Sequence, residues 1–232
     1  MLNLVKGDLG VSLNHSDKRV NDIIKESFPA SAKIGSIAAA LAVCIGIFLG
    51  SLAAYNRGKF WDGLIMFFAT LGIAVPNFVI AIALLVILGV KLGKFPTFGL
   101  ETPVHYILPV LALTFHPTAY IVRLTRSSML DVLGQDYMRT AKAKGLSQLR
   151  SIFKHALRNA MLPVMTYIGS MLAWILMGSF AVEHTFSIPG IGKTLVESVE
   201  ARDYSLVMGI TIFITSYNIV TVKTPYKILL FH

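Results

Sequence analysis

Apolar residues in this chain gather into five long blocks, separated by shorter polar and charged stretches. The first block runs from about Ser31 to Tyr55, with Lys33 as its one charge, close to its start. The second runs from about Gly63 to Val90 without a charge, and Pro76 lies in its middle. The third, about Val104 to Val122, carries Pro109 and Pro117; the fourth covers about Pro163 to Val182; the fifth starts near Tyr204 and fades after Thr215. A helix needs roughly 20 residues to cross a bilayer core of about 30 Å, so these blocks read as transmembrane spans. The second is long for one span, and its proline predicts a kinked or strongly tilted helix whose freed backbone groups are satisfied by neighbours. The expected fold class is an all-α polytopic membrane protein with about five transmembrane helices. Residues 1–30 form a polar head, 31–222 the transmembrane domain and 223–232 a tail.

Composition sharpens this reading. The 232 residues are 55% hydrophobic and only 14% charged, with a mean hydropathy of +0.68. Soluble domains run near a quarter charged, so this chain cannot cover a water-facing surface with polar groups. The net charge of +9 does not indicate nucleic acid, because the basic residues sit between apolar blocks instead of forming a soluble basic face. Cys44 is the single cysteine, which excludes an intrachain disulfide. The charged first thirty residues do not resemble a cleavable signal peptide.

The distribution of charge predicts orientation. Between Arg126 and Pro163 lie Arg126, Arg139, Lys142, Lys144, Arg150, Lys154 and Arg158 against Asp131 and Asp136. Arg57 and Lys59 follow the first span, whereas Glu183, Glu197, Glu200 and Asp203 dominate the connection between the fourth and fifth. Cytoplasmic loops are enriched in Lys and Arg. Residues 56–62 and 126–163 are therefore expected inside, and 92–103, 183–204 and the head outside. These assignments alternate correctly across every intervening span.

The basic loop has internal structure of its own. Tyr137 to Lys144 is rich in helix formers, Gly145 is suited to end a helix in a left-handed conformation, and Ser147 can cap the next helix. That next helix, Gln148 to Ala160, carries Leu149, Ile152, Phe153, Ala156, Leu157 and Ala160 on one face. Periodicity alone allows such a helix–Gly–helix unit either to lie on the membrane surface or to dock a protein.

The string Asp136-Tyr-Met-Arg-Thr-Ala-Lys-Ala-Lys-Gly145, followed by Lys154-His-Ala-Leu-Arg-Asn-Ala-Met-Leu-Pro163, resembles the cytoplasmic coupling motif of ABC importer permeases. Arg139, Thr140 and Ala141 stand where the general motif has Glu-Ala-Ala, and Leu162-Pro163 lies further on than usual. Both departures resemble the peptide-transporting subfamily. Gly7-Asp-Leu-Gly10, Ser27 to Gly35, Glu183-His-Thr-Phe-Ser-Ile-Pro-Gly-Ile-Gly192 and Arg202-Asp203-Tyr204 also resemble elements of that subfamily, the second most like its oligopeptide B-type subunit. The resemblance covers residues 7 to about 213. It implies a type I ABC importer permease fold (MetI-like) in a multi-pass inner-membrane protein. The implied function is half of a translocation pathway for oligopeptides, with dipeptide or nickel import as the alternative.

The resemblance further implies that Arg139, Thr140, Ala141, Lys142, Gly145, Leu146, Leu162 and Pro163 form an ATPase-coupling loop. Glu183, Pro189, Gly190 and Gly192 would belong to an external loop element. The implied partners are a second homologous permease subunit, cytoplasmic ABC ATPases, a periplasmic or extracellular peptide-binding protein and membrane lipid. No cofactor is expected on this chain; ATP would be hydrolysed by the partner subunits. Family members usually carry six spans, with one before the Gly-Asp-Leu-Gly element, and the tail from Ser216 departs from their pattern. A truncated, non-functional remnant is therefore the further alternative.

Other features are weaker. Gly190-Ile-Gly-Lys-Thr194 resembles half of a phosphate-binding loop, but Ser187 stands where the full motif needs glycine. The histidines His15, His105, His116, His155, His184 and His232 form no metal-ligand spacing. An enzyme embedded in the membrane would need a polar catalytic constellation at depth, and the spans offer none. Pro76, Asn77 and Pro117 are the candidate pathway residues, because broken helices expose backbone groups to a polar substrate; satisfying the backbone freed by proline is the other role open to Asn77. An interhelical hydrogen bond is expected of His116, and Lys33 is expected to snorkel to the interface.

Overall fold

A computed structural model describes residues 7–14, 18–136, 138 and 157–230. The first predicted span is the core of one long helix, α1 (Val20–Tyr55), which tolerates Pro29 in its interior. The second is two helices, α2 (Phe60–Ala74) and α3 (Asn77–Leu84), the latter passing into a π-helical stretch over Leu85–Lys91. The break falls at Val75–Pro76. Val75 is extended, as steric crowding before proline demands. A 3₁₀ turn, Pro103–Tyr106, leads into α4 (Ile107–Leu133), which holds Pro117 within it.

Helix α5 (Leu157–Thr185) starts before the fourth apolar block, α6 (Ile191–Glu200) is short, and α7 (Tyr204–Leu230) continues well past Thr215. Among the described residues, Val20–Tyr55, Pro103–Leu133 and Tyr204–Thr221 are long and apolar enough to cross a membrane. The pair broken at Pro76 adds a fourth span if it crosses once. Phe48, Phe60, Trp61, Phe67, Phe68 and Met208 are all more than half exposed, as side chains in contact with lipid would be.

The chain divides into two compact units. The first comprises Met1–Ala38, Asn77–Leu113 and Leu172–Thr224. One cluster in it joins Ile34 and Ala38 of α1, Ala81 of α3, Leu108 and Leu113 of α4, and Val182 and Phe186 at the end of α5. A second joins Val20, Ile23 and Ile24 to Ile191 of α6 and to Leu206 and Ile210 of α7. Lys33 is exposed and lays its ammonium 4.4 Å from the Tyr106 ring centre and 3.2 Å from the hydroxyl.

The second unit comprises Ala39–Pro76, Thr114–Met171 and Pro225–His232. Its helices meet through small residues. A Cβ on Gly46 would come within 2.6 Å of Ile121, and one on Gly50 within 2.7 Å of Thr125 and 2.8 Å of the Val122 carbonyl. Gly46-Ile-Phe-Leu-Gly50 is thus a small-xxx-small contact that lets α1 approach the backbone of α4. Ala69 of α2 packs with Ala119 and Val122 in the same manner. Met129 and Met138 lie buried against Ala54 and Ala160.

Candidate functional site

The segment that resembles an external loop element is a helix-capping device. Helix α5 ends at Thr185, and the chain reverses through Ser187 at φ 51°. The Ile188 N–H donates to the Glu183 carbonyl at 2.8 Å and the Ser187 N–H to that of His184 at 3.2 Å, the paired bonds of a Schellman turn. The turn aims the Glu183 side chain at the start of α6. Its carboxylate is fully buried and accepts from Gly192 N–H at 2.7 Å and Lys193 N–H at 3.3 Å. Ser31 of α1 accepts from Ile191 N–H at 2.9 Å. The first three N–H groups of α6 are thereby satisfied by side chains, and the carboxylate lies where the helix dipole favours negative charge.

This geometry explains the two glycines of the element. A Cβ at Gly190 would lie 2.3 Å from Glu183 Oε2 and 2.5 Å from Ser31 Oγ; one at Gly192 would lie 2.2 Å from the Phe180 Cα. Pro189 is exposed at the turn. The same contacts dispose of the phosphate-loop likeness, because the N–H groups that would hold a phosphate already face Glu183 and Ser31.

A second Schellman turn follows α6. Asp203 N–H donates to the Ser198 carbonyl at 2.9 Å and Arg202 N–H to Val199 at 3.1 Å, with Arg202 at φ 56°. Asp203 then caps α7 through the Leu206 N–H at 3.0 Å. Its other oxygen accepts from the Ser12 hydroxyl and from Asn14 N–H at 3.3 Å, while the Asn14 amide donates to the Ala201 carbonyl at 2.8 Å. Burial pushes the Asp203 carboxyl up, but hydrogen bonds from Ser12 and from the backbone of Leu206, Leu13 and Asn14 outweigh it and hold the group below its ordinary value. The Gly-Asp-Leu-Gly element is fixed beside it, with Asn21 accepting from Leu9 N–H and donating to the Gly7 carbonyl. Asn14, Thr194, Glu197, Ser198 and Asp203 edge a cavity of about 130 Å³ at this corner.

The basic turn after α1 is fastened differently. Arg126 of α4 donates through Nε and Nη2 to both oxygens of Asp62 at 2.6 and 2.7 Å, and Gly58 N–H reaches the same carboxylate at 2.9 Å. Asp62 is 4% exposed. Bidentate geometry and burial of the carboxylate make this a strong ion pair.

Of the expected coupling residues, Arg139, Thr140, Ala141, Lys142, Gly145 and Leu146 lie outside the described residues. Leu162 and Pro163 fall in the second turn of α5 and are exposed. Of the pathway candidates, Pro76 is exposed at the helix break, Asn77 opens α3, and Pro117 is buried within α4. Asn77 Oδ1 is buried and accepts no hydrogen bond among the described residues. His116 is half-buried, and no interhelical hydrogen bond is seen for it among the described residues.

Long apolar helices, a proline-broken span and capped helix corners form the all-helical fold of a multi-pass membrane protein. Two solved structures share that fold: an amino acid ABC transporter with histidines (TM-score 0.70, 15% identity, 90% of this chain and 93% of that one) and the inward-facing MetNI methionine ABC transporter (TM-score 0.71, 13% identity, 89% and 94%). The chain belongs to the binding-protein-dependent transport system inner membrane component family, whose model matches residues 46–222. It is 48% identical over 210 residues to the dipeptide transport system permease protein DppB of Bacillus subtilis (strain 168), covering 90% of this chain and 68% of the relative. It is 45% identical over 219 residues to the oligopeptide transport system permease protein OppB of Haemophilus influenzae, covering 94% and 72%.

Proposed function

We propose that this chain is a permease subunit of an ATP-driven peptide importer and forms half of its translocation pathway. The observation that carries the reading is the 45–48% identity to two named peptide permeases across nine-tenths of the chain. Oligopeptides are the favoured substrates. Dipeptides fit the same relatives equally well, because one of the two is a dipeptide permease. A second permease, two ATPases and an external binding protein complete the transporter. ATP is hydrolysed by the ATPases and not by this chain, which needs no cofactor of its own.

In this reading the basic loop 126–163 faces the cytoplasm and the α5–α6–α7 corner faces outward. The loop around Arg139–Gly145 docks into a cleft on an ATPase and transmits its closure to the helices. The proline-broken span around Pro76 and Asn77, together with Pro117, borders the route. The test is import by a bacterium stripped of its own peptide importers and given this chain with its companion subunits. Growth on tri- and tetrapeptides that outlasts competition by dipeptides is the expected result. Nickel uptake without peptide uptake would refute the reading.

A further inference from the structure

Within the second unit, the start of α2 brings cations and aromatic rings together at the surface. Arg57, Lys59, Phe60 and Trp61 are all exposed, and the two rings meet edge to face with centroids 5.9 Å apart. Asp62 is the one carboxylate of residues 56–62, and Arg126 occupies both its oxygens inside the fold. Arg57 and Lys59 make no ion pair among the described residues, so the turn presents a surplus of two positive charges. An apolar stripe leads away from them. Phe60, Trp61, Phe67, Phe68 and Leu71 are 43–76% exposed. With 3.6 residues per turn they fall within an arc of about 120°, while Asp62 and Ala69 lie on the buried side of the helix. At 1.5 Å per residue the stripe from Phe60 to Leu71 is about 16 Å long, the depth of one leaflet in a core of about 30 Å.

Three kinds of occupant differ in what they leave unmatched. A soluble domain reaches the cations but not an apolar stripe that continues one leaflet deep. A neighbouring membrane helix covers the stripe, but such helices approach through small residues, as Gly46 and Gly50 do here, and this stripe is aromatic. It would also enclose two cations that the chain leaves unpaired, which is costly. A phospholipid with an anionic head matches both parts. Its phosphate meets Arg57 and Lys59, its chains lie along the stripe, and Phe60 and Trp61 sit at headgroup level, where aromatic rings collect. A zwitterionic head brings its own ammonium, which offsets the attraction, so the surplus charge selects a net negative lipid.

We propose that Arg57, Lys59, Phe60 and Trp61 form a docking site for an anionic phospholipid, which fastens this basic turn to the membrane. The site does not depend on what the transporter carries; only the cytoplasmic leaflet follows from the orientation proposed above. The experiment uses the complete transporter in vesicles of equal parts phosphatidylglycerol and phosphatidylcholine. A photo-reactive phenylalanine analogue in place of Phe60 captures whatever touches this position, and mass spectrometry identifies it. Phosphatidylglycerol should be captured about five- to thirtyfold over phosphatidylcholine, the effect of one to two cations near the surface. Arg57→Gln with Lys59→Gln should bring the ratio close to one, and Arg57→Lys with Lys59→Arg should keep the preference. Millimolar glycerol phosphate should leave capture unchanged, because it lacks the chains. Equal capture of both lipids in the parent would reduce the site to ordinary lipid contact and overturn it. Capture of another subunit instead of lipid would overturn it in favour of a helix or soluble-domain neighbour. Displacement of the lipid by glycerol phosphate would overturn it in favour of a site for free anions.

Discussion

Replacing Glu183 by alanine should loosen the α5–α6 corner more than any other single side-chain truncation there. The substitution strips acceptors from Gly192 N–H and Lys193 N–H, whose bonds measure 2.7 and 3.3 Å. Gly192 is buried, so its N–H cannot turn to water. A buried donor left unsatisfied costs about 1–3 kcal/mol, and loss of negative charge at a helix N-terminus adds about 0.3–1 kcal/mol. The sum is about 1.3–4 kcal/mol, or about 3–16 °C in midpoint for a chain of this length. Glu183→Gln keeps one acceptor oxygen and should lose about half as much. Thermal unfolding of the purified transporter should rank the proteins parent, Gln, Ala. Limited proteolysis should find new cleavage between Thr185 and Ile191 in the alanine variant. Equal midpoints for all three would show that the carboxylate does not hold the helix.

Further outcomes follow from other contacts. Asp62→Asn should cost about 1–3 kcal/mol, the buried-pair figure reduced because Arg126 is a quarter exposed, and the double exchange Asp62→Arg with Arg126→Asp should recover part of it in a stability assay. Gly50→Leu should block assembly of the helices, seen as protease-sensitive protein in membranes, because its Cβ meets the Val122 carbonyl at 2.8 Å. The Asp203 carboxyl titrates below its unfolded value of about 3.9, so its contribution is complete above that pH and is lost as pH falls through the lower folded value. Hydrogen exchange at residues 9–14 should therefore rise below about pH 4, and Asp203→Asn should remove that dependence. Glu200→Cys in a Cys44→Ala background should label from outside the cell and Arg57→Cys should not; the reverse pattern would invert the topology.

The sequence announces some of this architecture and hides the rest, for physical reasons. Hydropathy locates the helical segments because lipid forces whole blocks to be apolar, and Pro76 marks the break in the second because proline cannot continue the ladder. Helix ends outside the apolar blocks are harder: α1 begins at Val20 and α7 runs to Leu230 through residues whose polarity argues for a loop. Family likeness picks out Glu183, Gly190 and Gly192 without their role, since the capping geometry exists only once α5 turns back on α6. The bond from Ser12 to Asp203 joins positions 191 apart, which no local pattern encodes. Gly46 and Gly50 stand at small-xxx-small spacing in an apolar block, so this close contact does carry a sequence signal.

The central claim is that this chain forms part of an ATP-driven route for peptides, and proteoliposomes test it most directly. They would contain this chain, its companion permease and the ATPases, with binding protein and labelled tripeptide on the side of the α6 corner and ATP on the other. The account predicts accumulation of intact peptide that needs ATP, the binding protein and this chain together. Peptide accumulation that persists when this chain is omitted, or none when all components are present, would contradict it.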